Sequence, residues 1–161
     1  MPIEDDRIAA ARQILASHTL FGSLTADELD RLLAHARVQT YGARQTIFAK
    51  GSSAPTLLAV LKGKVRISST GRDGEQIVLN VIEEGDVFGE IALFDGKERT
   101  ADASAIEACE LLAIDRSDFV PFVRDNPEVA MRLLSVISER LRHTTGQVED
   151  MVFHRYHHRA E

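Results

Sequence analysis

The segment from residue 87 to residue 101 reads VFGEIALFDGKERTA, and the rest of the chain is organised around it. An apolar run inside the segment ends at Asp95-Gly96, a pair that strongly favours a tight turn. Gly89-Glu90 stands before this turn, and Arg99-Thr100 stands after it. A reversal at the turn therefore predicts that a carboxylate, a flexible glycine, a cation and a hydroxyl meet in one place.

The polar residues at the two ends of this segment suit different parts of one small ligand. Arg99 offers a planar, permanently charged group that can hold two phosphate oxygens. Glu90 would repel a phosphate, but it can accept a hydrogen bond from a sugar hydroxyl. Gly89 lets the backbone approach a ligand closely, and a helical turn over Ile91–Phe94 would add free N–H groups that favour an anion. These features together predict a nucleotide pocket.

The segment resembles the phosphate-binding cassette of cyclic nucleotide-binding domains, in the form carried by the catabolite activator protein (Crp/Fnr) family of bacterial regulators. The resemblance covers roughly residues 20–153, and its most specific part is Gly89-Glu90 followed by Arg99-Thr100-Ala101. It implies a sensor that couples ligand binding to the conformation of a helical dimer and that catalyses no reaction. The ligand-binding residues that it implies are Gly89, Glu90, Ile91, Ala92, Arg99, Thr100, Ala101, Thr144 and Thr145.

The resemblance favours cyclic AMP as the ligand, and no cofactor is expected beside it. Thr144-Thr145 falls where members of the family place a Thr-Ser pair against the adenine, with Thr144 on its own subunit's purine and Thr145 on the purine across the dimer. Thr100 keeps cyclic GMP open, because threonine there also resembles cyclic-GMP-binding domains. Dinucleotide messengers are a weaker possibility. Glu90 on a ribose 2′-hydroxyl would reject deoxy analogues, which would leave the carboxylate unpaired.

The spacing of apolar runs and turn residues predicts an α+β fold: an antiparallel, jelly-roll-like β-roll with helices at its ends. One cyclic nucleotide-binding domain is expected, with N-terminal helices over 1–36, the roll and its cassette over 37–115, and a short and a long helix over 116–161. The predicted strands are Val38–Tyr41, Thr46–Lys50, Leu57–Leu61, Lys64–Thr70, Gln76–Ile82, Thr100–Ile106 and Cys109–Ile114.

Three helix starts carry recognisable capping residues. Thr25 and Glu28 have the spacing of a capping box. Ser117 is the predicted cap of the short helix, and Asn126 is the predicted cap of the last helix, with Pro127 at its first position.

The last helix is expected to run to about residue 153 or beyond and to carry two apolar faces. A heptad seam predicts a parallel homodimer through 127–153, and a single helix packed on its own domain is the alternative. The seam consists of Ala130, Leu134, Ile137, Leu141, Thr144, Val148 and Met151. The second face, predicted to pack on the roll, consists of Met131, Leu133, Val136 and Val152.

Composition limits the possible partners and the location of the chain. Among its 161 residues, 25 acidic side chains outnumber 19 basic ones, which gives a formal charge of −6. Because an acidic domain is poorly built to neutralise a phosphate backbone, we expect no direct nucleic-acid binding. No apolar run is long enough to span a membrane, and the N-terminus lacks a signal sequence. The expected location is the cytoplasm.

Other site types lack the residues they need. A cupin-type metal enzyme needs histidines in the roll, but none occurs between Ala36 and Arg142. The single cysteine, Cys109, excludes a cysteine-ligated cluster and is predicted to be a buried thiol, which also disfavours a haem sensor. The histidine and arginine run over 154–159 is interpreted as a solvated helix end. A ligand-free interaction scaffold of the same fold remains open, as does the choice between a stand-alone sensor and a fragment that lacks a helix-turn-helix domain.

Overall fold

The computed structural model describes the backbone of residues 5–53 and 55–160, and the side chains of residues 6–53 and 55–143. The strands are β1 (Arg37–Tyr41), β2 (Thr46–Phe48), β3 (Thr56–Lys62), β4 (Val65–Thr70), β5 (Gln76–Ile82), β6 (Val87–Phe88), β7 (Asp102–Ala105) and β8 (Cys109–Asp115). They form two four-stranded antiparallel sheets, in the orders β1-β8-β3-β6 and β2-β7-β4-β5. The predicted α+β class with an antiparallel roll is confirmed.

Helices lie before and after the roll, and one interrupts it. They are α1 (Asp5–Ser17), a 3₁₀ turn (Phe21–Ser23), α2 (Ala26–Leu33), α3 (Glu90–Asp95), α4 (Arg116–Asp125) and α5 (Pro127–Ala160). The predicted capping box is confirmed, since the Thr25 N–H donates to Glu28 Oε1 at 2.8 Å and the Glu28 N–H donates to Thr25 Oγ1 at 3.2 Å. Over the described residues, every helix is too short or too polar to cross a bilayer.

Strand β3 divides the buried side chains between two cores. Leu57, Ala59 and Leu61 pack with the helices, whereas Leu58 and Val60 point into the roll. Both faces of the strand are buried, which explains its unbroken apolar sequence. Cys109 is buried in the roll, as predicted. The core of the roll consists of Leu58, Val60, Val65, Ile82, Phe88, Ala103, Ala105, Cys109, Leu111 and Ala113.

One strand beside the cassette was not predicted, and one predicted strand begins later than expected. No local signal indicates β6, because two residues carry no periodicity. Pairing with Leu58 and Ala59 of β3 makes Val87 and Phe88 a strand. The strand predicted from Thr100 begins instead at Asp102. Residues 99–101 precede β7 because the Arg99 backbone is held by the loop before β3: its N–H donates to Ser52 O at 2.9 Å and its carbonyl accepts from the Gly51 N–H at 2.8 Å.

The predicted cap Ser117 was wrong, whereas Asn126 directly precedes Pro127 at the start of α5, as predicted, but makes no side-chain capping bond. Ser117 is the second residue of α4, and Asp115 occupies the N-cap position without a side-chain capping bond. The Asn126 amide does not cap α5: its Nδ2 donates to Phe122 O at 2.8 Å, and its Oδ1 accepts from Arg31 Nη1 at 2.8 Å. Asn126 therefore ties the end of α4 to α2.

The first turns of α5 have one packed face and one exposed face. Val129 and Leu133 are buried against the helical core, and Val136 is partly buried there. Met131 was predicted on this packed face, but it is 64% exposed because its helix position points away from the core. Three seam residues share that exposed side: Leu134 (55%), Ile137 (39%) and Leu141 (66%).

Candidate functional site

The cassette is shaped by a glycine that joins β6 to α3. Gly89 has a left-handed backbone, with φ of +83°, and occupies the N-cap position of α3. A Cβ atom there would lie 2.7 Å from Thr56 O and 2.8 Å from Arg99 Nη1. A side chain would therefore be strained by the backbone and would also collide with its neighbours. At the other end of α3, Arg116 Nε donates to Leu93 O at 3.1 Å.

Arg99 is a buried cation beside Gly89, with only 6% of its surface exposed. Its Nη2 donates to Thr56 O at 2.7 Å, its Nη1 reaches Gly89 O at 3.4 Å, and its Nε has no partner. None of the ion pairs among the described side chains includes it. Burial lowers the pKa of the guanidinium from its ordinary value, because the charged form loses solvation. The site therefore contains a positive charge that the described side chains do not neutralise.

An aromatic ring covers one side of this cation. The Cζ atom of Arg99 lies 4.1 Å from the ring centroid of Phe48, a distance typical of a cation–π contact. The Phe48 ring lies 6.1 Å from that of Phe88, centroid to centroid. Sequence reasoning missed Phe48, since an apolar residue in a short strand looks like ordinary core.

The predicted cassette residues line one open cavity of about 360 Å³. Gly89, Glu90, Ile91 and Ala92 form one part of its wall, and residues 99–101 form another. Ala92 and Ala101 are buried, whereas Thr100 is exposed and Ile91 is 67% exposed. The cavity wall that sequence reasoning missed consists of Phe48, Ile67, Asn80, Ile82, Val87, Phe88, Asp95, Lys97 and Glu98. Most of these are apolar strand residues or loop charges, whose position depends on long-range pairing.

Glu90 begins α3 and is half-buried at the cavity wall. Its carboxylate accepts no hydrogen bond from the residues that the structure describes, so it is available to a hydroxyl donor. The first N–H groups of α3 likewise have no acceptor within the helix. Glu90 also influences His18: burial lowers the pKa of that imidazole, while the charge of Glu90 raises it by less.

Two predicted site residues are not tested by this geometry. Thr144 and Thr145 belong to α5, but they lie outside the residues whose side chains the structure describes. The side chains of the histidine and arginine run over 154–159 lie outside them as well. The described part of the site therefore comprises the cassette and the inner wall of the roll.

Comparison with known proteins identifies this arrangement. The family model for the cyclic nucleotide-binding domain matches residues 38–126. The cAMP-activated global transcriptional regulator CRP of Salmonella typhimurium is 32% identical over 130 residues, which cover 80% of this chain. The chain spans 62% of the length of that regulator.

Solved structures agree with the family match. The N-terminal domain of a transcriptional regulator from Streptomyces coelicolor A3(2) superposes with a TM-score of 0.78 at 32% identity, covering 84% of this chain and 94% of that one. The regulatory domain of Toxoplasma gondii PKA with cAMP superposes with a TM-score of 0.70 at 28% identity, covering 76% and 47%. These relatives are regulators and regulatory domains. The chain belongs to the cyclic nucleotide-binding domain family, and its relatives include CRP-type regulators.

Proposed function

We propose that this domain is a sensor that binds a cyclic nucleotide, cyclic AMP in the first place. The observation that carries the proposal is the charge of Arg99, a buried cation beside the cavity with no carboxylate partner among the described side chains. A cyclic nucleotide carries one negative charge, which one arginine can balance through paired hydrogen bonds. The cavity, about 360 Å³, falls within the range of roughly 300–1,000 Å³ that small-molecule sites occupy.

Each part of the cassette has a role in this proposal. Arg99, Thr100 and Ala101 hold the cyclic phosphate together with the N–H groups at the start of α3, which Gly89 brings close. Glu90 accepts a hydrogen bond from the ribose 2′-hydroxyl. Binding changes no covalent bond, so the output is a conformational change.

Isothermal titration with cyclic AMP, cyclic GMP and 2′-deoxy cyclic AMP tests the proposal. We expect cyclic AMP to bind most tightly. The deoxy analogue should bind at least about tenfold more weakly, because it leaves the Glu90 carboxylate desolvated and unpaired. If cyclic GMP binds more tightly, Thr100 gains a role in reading the base and the domain is a cyclic-GMP sensor. Absence of binding by all three would contradict the proposal and favour a ligand-free scaffold.

We also propose that α5 forms a parallel homodimer through residues 127–153 and that ligand occupancy changes its conformation. The proposal is supported by Leu134, Ile137 and Leu141, which are exposed at alternating steps of three and four. In this dimer Thr144 contacts the purine of its own subunit, and Thr145 contacts the purine across the interface. The ligand then becomes part of the interface, so that binding and dimer conformation are linked.

The dimer is tested by placing one charge inside or outside the seam. Leu141→Glu should convert the dimer to a monomer in light scattering after size exclusion, because a carboxylate would be buried at the interface. Ser135→Glu adds the same charge to the same helix outside the heptad seam and should remain dimeric. A wild-type monomer, or equal behaviour of the two variants, would contradict the proposed seam.

A further inference from the structure

Few hydrogen bonds hold the Arg99 side chain in place. One hydrogen bond, from Nη2 to Thr56 O at 2.7 Å, has good geometry, while the bond from Nη1 to Gly89 O is long at 3.4 Å. Nε has no partner. An arginine side chain loses considerable rotamer entropy when it is fixed. These hydrogen bonds are therefore a weak restraint for a group that has to meet a phosphate in one orientation.

The Phe48 ring supplies the additional restraint. It lies 4.1 Å from Arg99 Cζ and covers one side of the guanidinium. The ring itself is well supported, because Phe48 pairs with Ala103 across β2 and β7 and its ring lies 6.1 Å from that of Phe88. Phe88 directly precedes the cassette glycine. The contact therefore links Arg99 to β2 and, through the Phe88 ring, to β6.

We propose that Phe48 is a positioning residue, whose ring holds the Arg99 guanidinium in the orientation that receives the phosphate. This inference rests on the proposed cyclic-nucleotide function. The contact is made between two side chains of the domain itself, so it acts by preorganisation. Without the ring, Arg99 populates the receptive orientation for only a fraction of the time, and the observed Kd rises by the inverse of that fraction.

The first test compares Phe48→Leu with Phe48→Tyr by titration with cyclic AMP and cyclic GMP. Leucine keeps an apolar side chain but removes the π face, so Kd should rise about three- to tenfold, the usual effect of having to order one long side chain on binding. Tyrosine keeps the ring and should restore Kd to within about twofold of the wild type. The loss should be equal for both nucleotides, because it acts through the phosphate and not through the base.

Tyr41→Leu is the matched control, since Tyr41 is another partly buried ring packed on the core of the roll, but it lies outside the cavity wall and makes no ring contact with Arg99. Its Kd should stay within about twofold of the wild type. Urea unfolding of each variant identifies any that is not folded. A rise in Kd as large as that of Phe48→Leu would mean that the loss of any ring from the roll weakens binding, and it would overturn the proposal.

The second test repeats Phe48→Leu in an Arg99→Lys background. A lysine ammonium can still approach the ring face, but it is a point charge with no planar fork for the ring to orient, so the loss caused by Phe48→Leu should fall below about twofold there. Equal losses in both backgrounds, a loss confined to one nucleotide, or no loss at all would each overturn the proposal. The wild-type titration separates the two hypotheses: if it binds neither nucleotide, the proposed function fails as well, whereas a tightly binding Phe48→Leu removes only the role of Phe48.

Discussion

Glu28 and Arg99 are each only 6% exposed, yet the protein accommodates their charges in opposite ways. Glu28 accepts hydrogen bonds from the Thr25 backbone and from Arg132, so its charge is compensated inside the fold. Arg99 has two backbone carbonyls and one aromatic ring, but no carboxylate partner among the described side chains. Both arginines leave a buried Nε without a partner. An unpaired N–H therefore does not distinguish a binding site here; the missing counter-charge does.

The comparison predicts its largest effect at Arg99. Arg99→Gln should weaken cyclic AMP binding by at least about a hundredfold, because a charge-assisted contact to the phosphate is lost. The free energy of unfolding should change by less than about 1 kcal/mol, since the variant also removes the cost of burying an uncompensated cation. Titration calorimetry and urea unfolding measure the two quantities.

Arg116→Gln is a matched control for this variant. Arg116 also contacts the cassette, through Leu93 O, but it lies at the far end of α3 and outside the cavity wall. Its affinity for cyclic AMP should stay within about threefold of the wild type. Unchanged affinity in Arg99→Gln, or a large loss of its stability with little loss of affinity, would make Arg99 a structural residue like Glu28.

The second prediction is that a change at Glu28 lowers the free energy of unfolding and leaves the affinity for cyclic AMP unchanged, which is the reverse of the effect expected at Arg99. Glu28→Gln keeps the capping box, in which glutamine is acceptable, but it removes the charge that faces Arg132. We expect the free energy of unfolding to fall by about 1–2 kcal/mol, because a hydrogen bond to a charged partner is weakened and Arg132 is partly exposed. Cyclic AMP affinity should stay within about twofold. A variant as stable as the wild type in urea would show that the pair contributes nothing.

The same comparison separates what the sequence could predict from what it could not. The Thr25–Glu28 capping box spans three residues, so a local pattern was sufficient to predict it. Arg132 lies more than a hundred positions further along the chain, and no local signal connects it to Glu28. The cassette was predictable for the same reason as the capping box, since Gly89, Glu90 and Arg99 lie within one short segment and their residue types alone indicate the chemistry.

What the sequence could not predict at the site depends on strand pairing. Phe48 approaches Arg99 because β2 pairs with β7, and the N–H and carbonyl of Arg99 are held by Ser52 and Gly51. Such contacts bring distant segments together, and the apolar pattern of a short strand does not specify its partner. The residue types of the cassette were therefore predictable, but the long-range contacts that hold Arg99 in place were not.

The third prediction concerns acid, where the Glu28 interaction should disappear. Burial opposes ionisation of Glu28, but the hydrogen bonds from Thr25 and Arg132 and the charge of Arg132 outweigh it and hold the pKa of the carboxyl below its ordinary 4.5. A folded-state pKa below the unfolded one gives stability that is present above the unfolded value and is lost as pH falls through the folded one. The stability difference between wild type and Glu28→Gln should be constant from about pH 7 to about pH 5.5 and shrink below about pH 4.5. Urea unfolding across this range measures it, and a difference that grows in acid would contradict the depressed pKa.

The smallest expected effect is at His18, a half-buried group whose charged form the fold disfavours. Burial lowers the pKa of the imidazole from 6.5, the nearby charge of Glu90 raises it, and Arg140 lowers it further. Because the folded state holds this proton less tightly than the unfolded state, His18 should lower stability slightly as pH falls below 6.5. An NMR titration of the His18 ring should give a pKa below 6.5 in the wild type and a still lower one in Glu90→Gln, where the opposing charge is gone. A wild-type pKa at or above 6.5 would instead place His18 with Glu28, as a group whose charge is stabilised by a partner of opposite sign.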